Sequence, residues 1–341
     1  MVPWLLALLT LAAAAALHGA AMRLFRRRAA DWAGAHALIT GGSKGIGLAL
    51  GEELAARGAA VTVLARGAAD LAAARAALRA AAAAAGRAPR ALALAADTTD
   101  AAALAAALAE AEAAFGPVDT LVACAGLAIP GLFVEQPLAD FERQVSVNYL
   151  GAVRAVKAAL PGMLARRRGR VVLVSSPLCT AGFAGYASYA PTKAALRALG
   201  DCLRSELQGT GVRVAVAYPP DTDTPGFAAE NLTKPPLCKA VNAALGSELF
   251  PARRVAARIA ARLDAGHYHL DTPDLGTNLL LASAHGLAPK SLPAPLGCFL
   301  APAIHVAAGV AGWLGDRAAR RHHAAHGYST YQPPGGGGGG R

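Results

Sequence analysis

The sequence predicts an α/β fold with a doubly wound parallel sheet, and three observations predict it. Short apolar runs alternate with helical stretches of about ten residues or more. The runs are apolar throughout, as expected of strands covered on both faces, which have no solvent side to carry polar residues. The first run leads straight into a glycine-rich segment. A chain of 341 residues holds one large domain with extensions at its ends.

Taken in order, His36–Thr40 (HALIT) is the first strand, Ala60–Ala65 (AVTVLA) the second and Ala91–Ala95 (ALALA) a weaker third. Thr120–Ala123, residues 170–174 and Val212–Ala217 complete the set. The intervening segments are rich in alanine, the strongest helix former. The catalytic domain is expected over residues 34–269.

The ends read differently. Residues 2–22 form a nearly uninterrupted apolar run, and RLFRRR follows at residues 23–28. Such a run is long enough to cross a bilayer as a helix. A cleaved signal peptide carries its basic residues ahead of the apolar run, and here they follow it. Residues 1–28 are therefore expected to be a transmembrane signal anchor with a cytoplasmic basic flank. Residues 275–314 are apolar but broken by prolines, which suits a hairpin around Pro289 and Lys290 or segments lying in the interface. Residues 315–341 run from basic to six glycines and read as a disordered tail.

Composition excludes several classes. Hydrophobic residues make up 55%, charged residues 16% and aromatics 5%, which rules out a disordered chain, a collagen and a disulfide scaffold. The net charge of +11 raises nucleic acid as a partner. The arginines, however, cluster at 26–28, 166–168 and 317–321. The first and last groups flank apolar stretches, and none is interleaved with aromatics. Membrane lipid is the expected partner and nucleic acid is not. Five cysteines (124, 179, 202, 238 and 298) lack zinc or redox spacing and point to a reducing compartment. His267, His269 and the group His322, His323 and His326 have no carboxylate or cysteine at ligand spacing, so no metal is expected.

Two motifs carry chemistry. After the first strand come Gly41, Gly42, Ser43, Lys44, Gly45, Ile46 and Gly47. Glycines there let the backbone turn sharply and approach a pyrophosphate at the next helix's N-terminus, as in a Rossmann-type dinucleotide site. A phosphate-binding P-loop is excluded, because Leu48 stands where Lys-Ser or Lys-Thr is needed. The second strand ends at Arg66, where an NAD binder would carry an acid. With Lys44 nearby, arginine favours the 2′-phosphate of NADPH. The second motif is Ser176, Tyr189 and Lys193. Tyr189 and Lys193 are four residues apart and share a helix face. The ammonium is expected to lower the tyrosine pKa and make the phenol a usable proton donor to a ketone. Tyr186 is a decoy, since Ala190 stands four residues on.

Together TGGSKGIG, the Ser175-Ser176 pair, YAPTK and NYLG (148–151) resemble the short-chain dehydrogenase/reductase superfamily. Residues 217–235 (AYPPDTDTPGFAAENLTKP), the apolar N-terminus and the apolar C-terminal end resemble the 3-ketodihydrosphingosine reductases within it. That resemblance implies a long-chain sphingoid ketone as substrate, NADPH as cofactor and the cytoplasmic face of the endoplasmic reticulum membrane as location. A homo-oligomer is the superfamily's default. By the same resemblance Tyr189 gives the proton, Lys193 binds the nicotinamide ribose, Ser176 positions the ketone and Asn148 holds a relay water. Gly41, Ser43, Lys44, Gly45, Ile46 and Gly47 form the pyrophosphate turn. Arg66 meets the 2′-phosphate, Asp97 the adenine, Gly126 passes close to the cofactor, and Pro219, Thr222 and Thr224 lie along the nicotinamide. Asp221 and Asp223 are read as part of a loop cap.

Three departures stand out. Ala123 replaces an asparagine tether of the central strand, Lys44 replaces a common serine, and Pro191 is expected to occupy the first turn of its helix. A steroid or retinoid ketone remains open as the substrate, as does a silent scaffold that binds cofactor without turnover.

Overall fold

The computed structural model describes residues 32–246 and 248–283, together with a helical stretch among residues 310–325. The sheet strands are β1 (His36–Thr40), β2 (Ala60–Ala65), β3 (Ala91–Ala95), β4 (Thr120–Ala123), β5 (Gly169–Val174), β6 (Val212–Ala217) and β9 (His269–Leu270). They lie in the order β3-β2-β1-β4-β5-β6-β9, and every pair is parallel. All six expected strands form, with β5 starting one residue early. The two-residue strands β7 (Thr222–Asp223), β8 (Phe250–Pro251) and β9 carry too few residues for periodicity to reveal.

The strands are buried on both sides. Ala37 and Ile39 of β1 pack into one core layer and Leu38 into the other; Val172 and Val174 of β5 oppose Val171 and Leu173 in the same way. The first layer is closed by α1 (Gly45–Ala56), α2 (Ala68–Ala84) and α9 (Ala252–Asp264). The second is closed by α3 (Ala101–Phe115), α5 (Gly151–Ala165) and α6 (Ala190–Glu206). Alanines at the contacts let helices lie close to the sheet. Asp100 caps α3 by accepting from the N–H groups of Ala102 and Ala103, which satisfies two otherwise orphaned donors.

The remaining helices are α4 (Leu138–Gln144), α7 (Pro225–Thr233), α8 (Pro236–Leu245) and α10 (Leu275–Ser283). Between α4 and α5 the chain takes one π-helical turn, Val145–Leu150. Such turns widen the helix locally and often mark functional sites. Pro191 sits in the first turn of α6, as expected, so the helix is not broken between Tyr189 and Lys193. The chain winds from β1 outward to β3, then returns and winds through β4 the other way. A crevice therefore opens at the carboxyl ends of β1 and β4, where α/β sheets bind ligands. Among the described residues no helix is long and apolar enough to cross a membrane. The expected anchor at 1–28, the hydrophobic region from 284 to 309 and most of the tail lie outside the described residues.

Candidate active site

A cleft of about 1570 Å³ occupies that crevice, and every expected site residue except Asn148 lines it. Pockets for small ligands are usually about 300–1,000 Å³, so this one has room for more than a single small ligand. One wall is backbone. Gly41 has φ +67, and a Cβ there would stand 2.7 Å from the Ala125 Cα; a Cβ on Gly47 would stand 2.5 Å from the Gly41 carbonyl oxygen. Only glycine fits both places. No side chain caps the start of α1, and its first turn has no acidic residue. Its free N–H groups and positive dipole end face the cleft, which is the environment a pyrophosphate requires. The residues present therefore fit a dinucleotide.

Thr40, at the end of β1, accepts from the N–H groups of both Cys124 and Ala125 at 3.1 Å. The central strands are thus tied together without the asparagine that Ala123 replaces. At the far end of the cradle Asp97 accepts from the Thr99 N–H and hydroxyl, both at 2.8 Å. Those bonds, with Arg66 contributing at longer range, hold its carboxyl below the usual range. Lys44 lines the cleft as well, and its ammonium is 2.8 Å from Asp70.

The second wall carries the titratable groups. Tyr189 begins α6, and the Lys193 ammonium lies 5.6 Å from its ring centroid. Lys193 donates to the Val174 carbonyl at 3.0 Å, and the Ser175 hydroxyl donates to the Lys193 carbonyl at 2.7 Å. Burial pushes the Lys193 pKa down to about 8. The expected effect of Lys193 on Tyr189 is not found. Burial, followed by the charge of Glu230, pushes the Tyr189 pKa up, while a hydrogen bond with Ser176 opposes the rise. A helix places Tyr189 and Lys193 on one face, but the ammonium is directed to the end of β5 instead of to the phenol. The result is a neutral phenol that keeps its proton, which suits donation to a ketone oxygen.

Asn148 sits on the π turn behind this wall. Its Oδ1 accepts from the Leu127 N–H at 2.8 Å, and its Nδ2 donates to the Leu127 carbonyl and the Thr192 hydroxyl at 2.9 and 3.1 Å. The side chain ties the loop after β4 to α6 and acts as a positioning residue. A Cβ on Gly126 would stand 3.3 Å from both Asn148 Oδ1 and Lys193 Nζ, so glycine leaves these two groups their space.

The short chain dehydrogenase family profile matches residues 35–235. The chain belongs to the short-chain dehydrogenase family. Among curated relatives it is 39% identical to the 3-ketodihydrosphingosine reductase of Bos taurus over 203 residues, 59% of this chain and 60% of that protein. It is 34% identical to the 3-ketodihydrosphingosine reductase of Cryptococcus neoformans over 268 residues, 78% of this chain and 79% of that one. A 3-dehydrosphinganine reductase of Arabidopsis thaliana is 34% identical over 75% of this chain and 74% of its own length. The matched region thus spans about three fifths of the animal relative and more of the others. Levodione reductase shares the fold, with a TM-score of 0.61 and 24% identity over 68% of this chain and 91% of that structure. Family and fold together imply a nicotinamide cofactor.

In this short-chain dehydrogenase the loop after β6 builds the rest of the site. Thr224 caps α7 by accepting from Phe227 N–H at 3.1 Å, and its methyl group packs against Gly45. Thr222 donates to the Pro220 carbonyl at 2.7 Å. Thr224 is thus the residue that caps α7. The sequence reading missed a group farther along. Tyr186, set aside as a decoy, donates to Glu230 Oε1 at 2.5 Å, and Lys234 lies 3.1 Å from the same oxygen. Glu230 and Lys234 are four residues apart, a spacing that signals an ion pair, but Tyr186 is 44 residues away and no local pattern connects it to them.

Proposed function

We propose that the chain reduces 3-ketodihydrosphingosine to dihydrosphingosine with NADPH, a step of sphingolipid synthesis. The observation that carries the reading is that Ser176, Tyr189 and the buried Lys193 converge on one wall of the cleft. The names of the relatives supply the substrate. Bound NADPH would supply the hydride to the ketone carbon. Ser176 and Tyr189 would hold the ketone oxygen, and the Tyr189 hydroxyl would pass its proton to that oxygen as negative charge develops there. Lys193 would bind the nicotinamide ribose and offset the phenolate left behind. The glycine cradle and the start of α1 would hold the pyrophosphate.

Arg66 supports NADPH over NADH. It lines the cleft at the end of β2, close enough to Asp97 to affect it, and a guanidinium pairs with a phosphate through two parallel hydrogen bonds. A membrane location belongs to the same reading. The apolar run 2–22 and the arginines after it support an anchor at the cytoplasmic face of the endoplasmic reticulum. A long acyl chain held in lipid at about 0.8 kcal/mol per CH₂ meets an enzyme at that surface without being drawn into water. Pairing of copies through helices of the main domain is part of the proposal by family resemblance.

The test is NADPH consumption by membranes carrying the full chain, given 3-ketodihydrosphingosine, beside Tyr189→Phe. Losing the general acid is expected to lower turnover by about 10²–10⁴-fold while NADPH binding persists, and NADH is expected to support far less turnover. Wild-type turnover no greater than that of the Phe variant, from protein that binds NADPH, would sink the substrate assignment.

A further inference from the structure

We infer that Glu230 is a specificity-determining carboxylate that receives a cationic amino group on the carbon next to the reacting ketone. This rests on the ketone-reductase reading above and deepens it. Glu230 lines the cleft, whereas Lys234 sits behind it with a side chain only 3% exposed. Tyr186 and Lys234 both engage Oε1. Both contacts fall on Oε1, and no side-chain hydrogen bond falls on Oε2 among the described residues, so Oε2 is the oxygen left to meet a ligand. The carboxylate is thus anchored through one oxygen by residues of its own network while it lines the cleft.

Its position relative to the reacting centre makes the match. The Tyr186 and Tyr189 rings are 6.0 Å apart, so Glu230, bonded to Tyr186, stands beside the catalytic phenol. Its charge, followed by that of Asp221, acts on the Tyr189 hydroxyl. In an α-amino ketone the nitrogen is two bonds from the carbonyl carbon, so holding the oxygen at Tyr189 and Ser176 brings the nitrogen into the same few ångströms. Glu230 and Asp221 both act on the reacting end of the cleft, and a carboxylate beside the ketone oxygen favours a cation there. Charge-assisted hydrogen bonds are about twice as strong as neutral ones. Lys234 has a complementary role. It neutralises Glu230 before substrate arrives, so that no uncompensated charge is buried. A steroid or retinoid ketone has no cation to offer and would only desolvate the carboxylate.

The experiment compares kcat/KM for 3-ketodihydrosphingosine with that for the same long-chain 3-ketone lacking the amino group, using membranes carrying the full chain. Wild-type protein is expected to prefer the amine. Glu230→Gln is expected to narrow that preference roughly tenfold or more, the value of a charged hydrogen bond, and Glu230→Asp to restore part of it. Because the single change leaves Lys234 buried without its partner, Glu230→Gln with Lys234→Met is measured beside it, with NADPH binding as the check on folding. An unchanged preference in variants that bind NADPH overturns the inference, as does an equal loss on both ketones, which marks a structural role. Wild-type protein that reduces both ketones equally well overturns this inference alone. Wild-type protein that reduces neither overturns the parent reading along with it.

Discussion

At the dinucleotide end of the cleft the protein works mainly with backbone: Gly41 and Gly47 leave room, α1 presents its free N–H groups, and an ion pair, Lys44 with Asp70, lies about half exposed. At the ketone end it works with side chains. Ser176, Tyr189 and the Tyr186–Glu230–Lys234 cluster, buried or partly buried, stand together, from the end of β5, the segment leading into α6, α7 and the turn after α7. The first end is built from consecutive residues around one turn. The second is assembled from segments far apart in the chain. Contacts of the same chemical type should therefore matter unequally at the two ends, and that inequality can be measured.

The largest expected difference lies in the two ion pairs. Lys234→Met removes a cation that is 3% exposed from a carboxylate that is 14% exposed. Breaking a buried pair on one side costs about 3–5 kcal/mol. Lys44→Met removes a cation that is 53% exposed from a partner that is 41% exposed, and such pairs are worth at most about 1 kcal/mol. Thermal unfolding of the purified full chain should show a clear fall for the first and almost none for the second. Equal shifts would mean that the two ends are not built differently after all.

A middle-sized effect tests whether the dinucleotide end relies on any side chain. Thr40 is buried, and its hydroxyl is the acceptor for two backbone donors after β4. Thr40→Val keeps the shape and removes the acceptor. Leaving buried donors unsatisfied costs about 1–3 kcal/mol, so the melting temperature and NADPH affinity should drop together. A Val variant with wild-type melting would show that the tie between β1 and β4 lies elsewhere, and that Ala123 is not compensated by Thr40.

The same contrast governs what the sequence could show. Strands β1 to β6 were legible because each is a continuous apolar run, and the glycine turn was legible because its parts are adjacent. Pro191 could be placed in the first turn of α6 from its neighbours alone. Contacts across the fold were not legible. The ion pair of Lys44 was hidden because its partner Asp70 is 26 residues away on the next helix. Helical spacing put Lys193 beside Tyr189, yet the ammonium turns to the Val174 carbonyl, a choice set by the end of β5. Tyr186 looked idle because its partner lies on α7. The expected membrane segments rest on sequence alone, since residues 1–28 and 284–309 fall outside the described residues.

The most gradual effect, spread over pH units, is a pH dependence, and it falls where the two ends meet, at Lys193. Burial brings its pKa from 10.5 to about 8, while burial and Glu230 move the Tyr189 pKa the other way, up. Below about pH 8 the lysine is an ammonium and the phenol is neutral, which is the state reduction needs. As pH rises through 8 the ammonium is lost first, so kcat/KM should fall about tenfold per unit with the tyrosine still protonated. The sign for stability is opposite. Between pH 8 and 10.5 the unfolded chain holds a proton on this lysine and the folded chain does not, so this group's contribution to folding stability increases with pH across that window. A pH profile of kcat/KM recorded beside thermal unfolding separates the two. Activity that falls above pH 8 while the Lys193-dependent part of stability rises assigns the limb to Lys193. A limb that stays in place in Lys193→Arg, whose guanidinium remains charged, would move the assignment to another group.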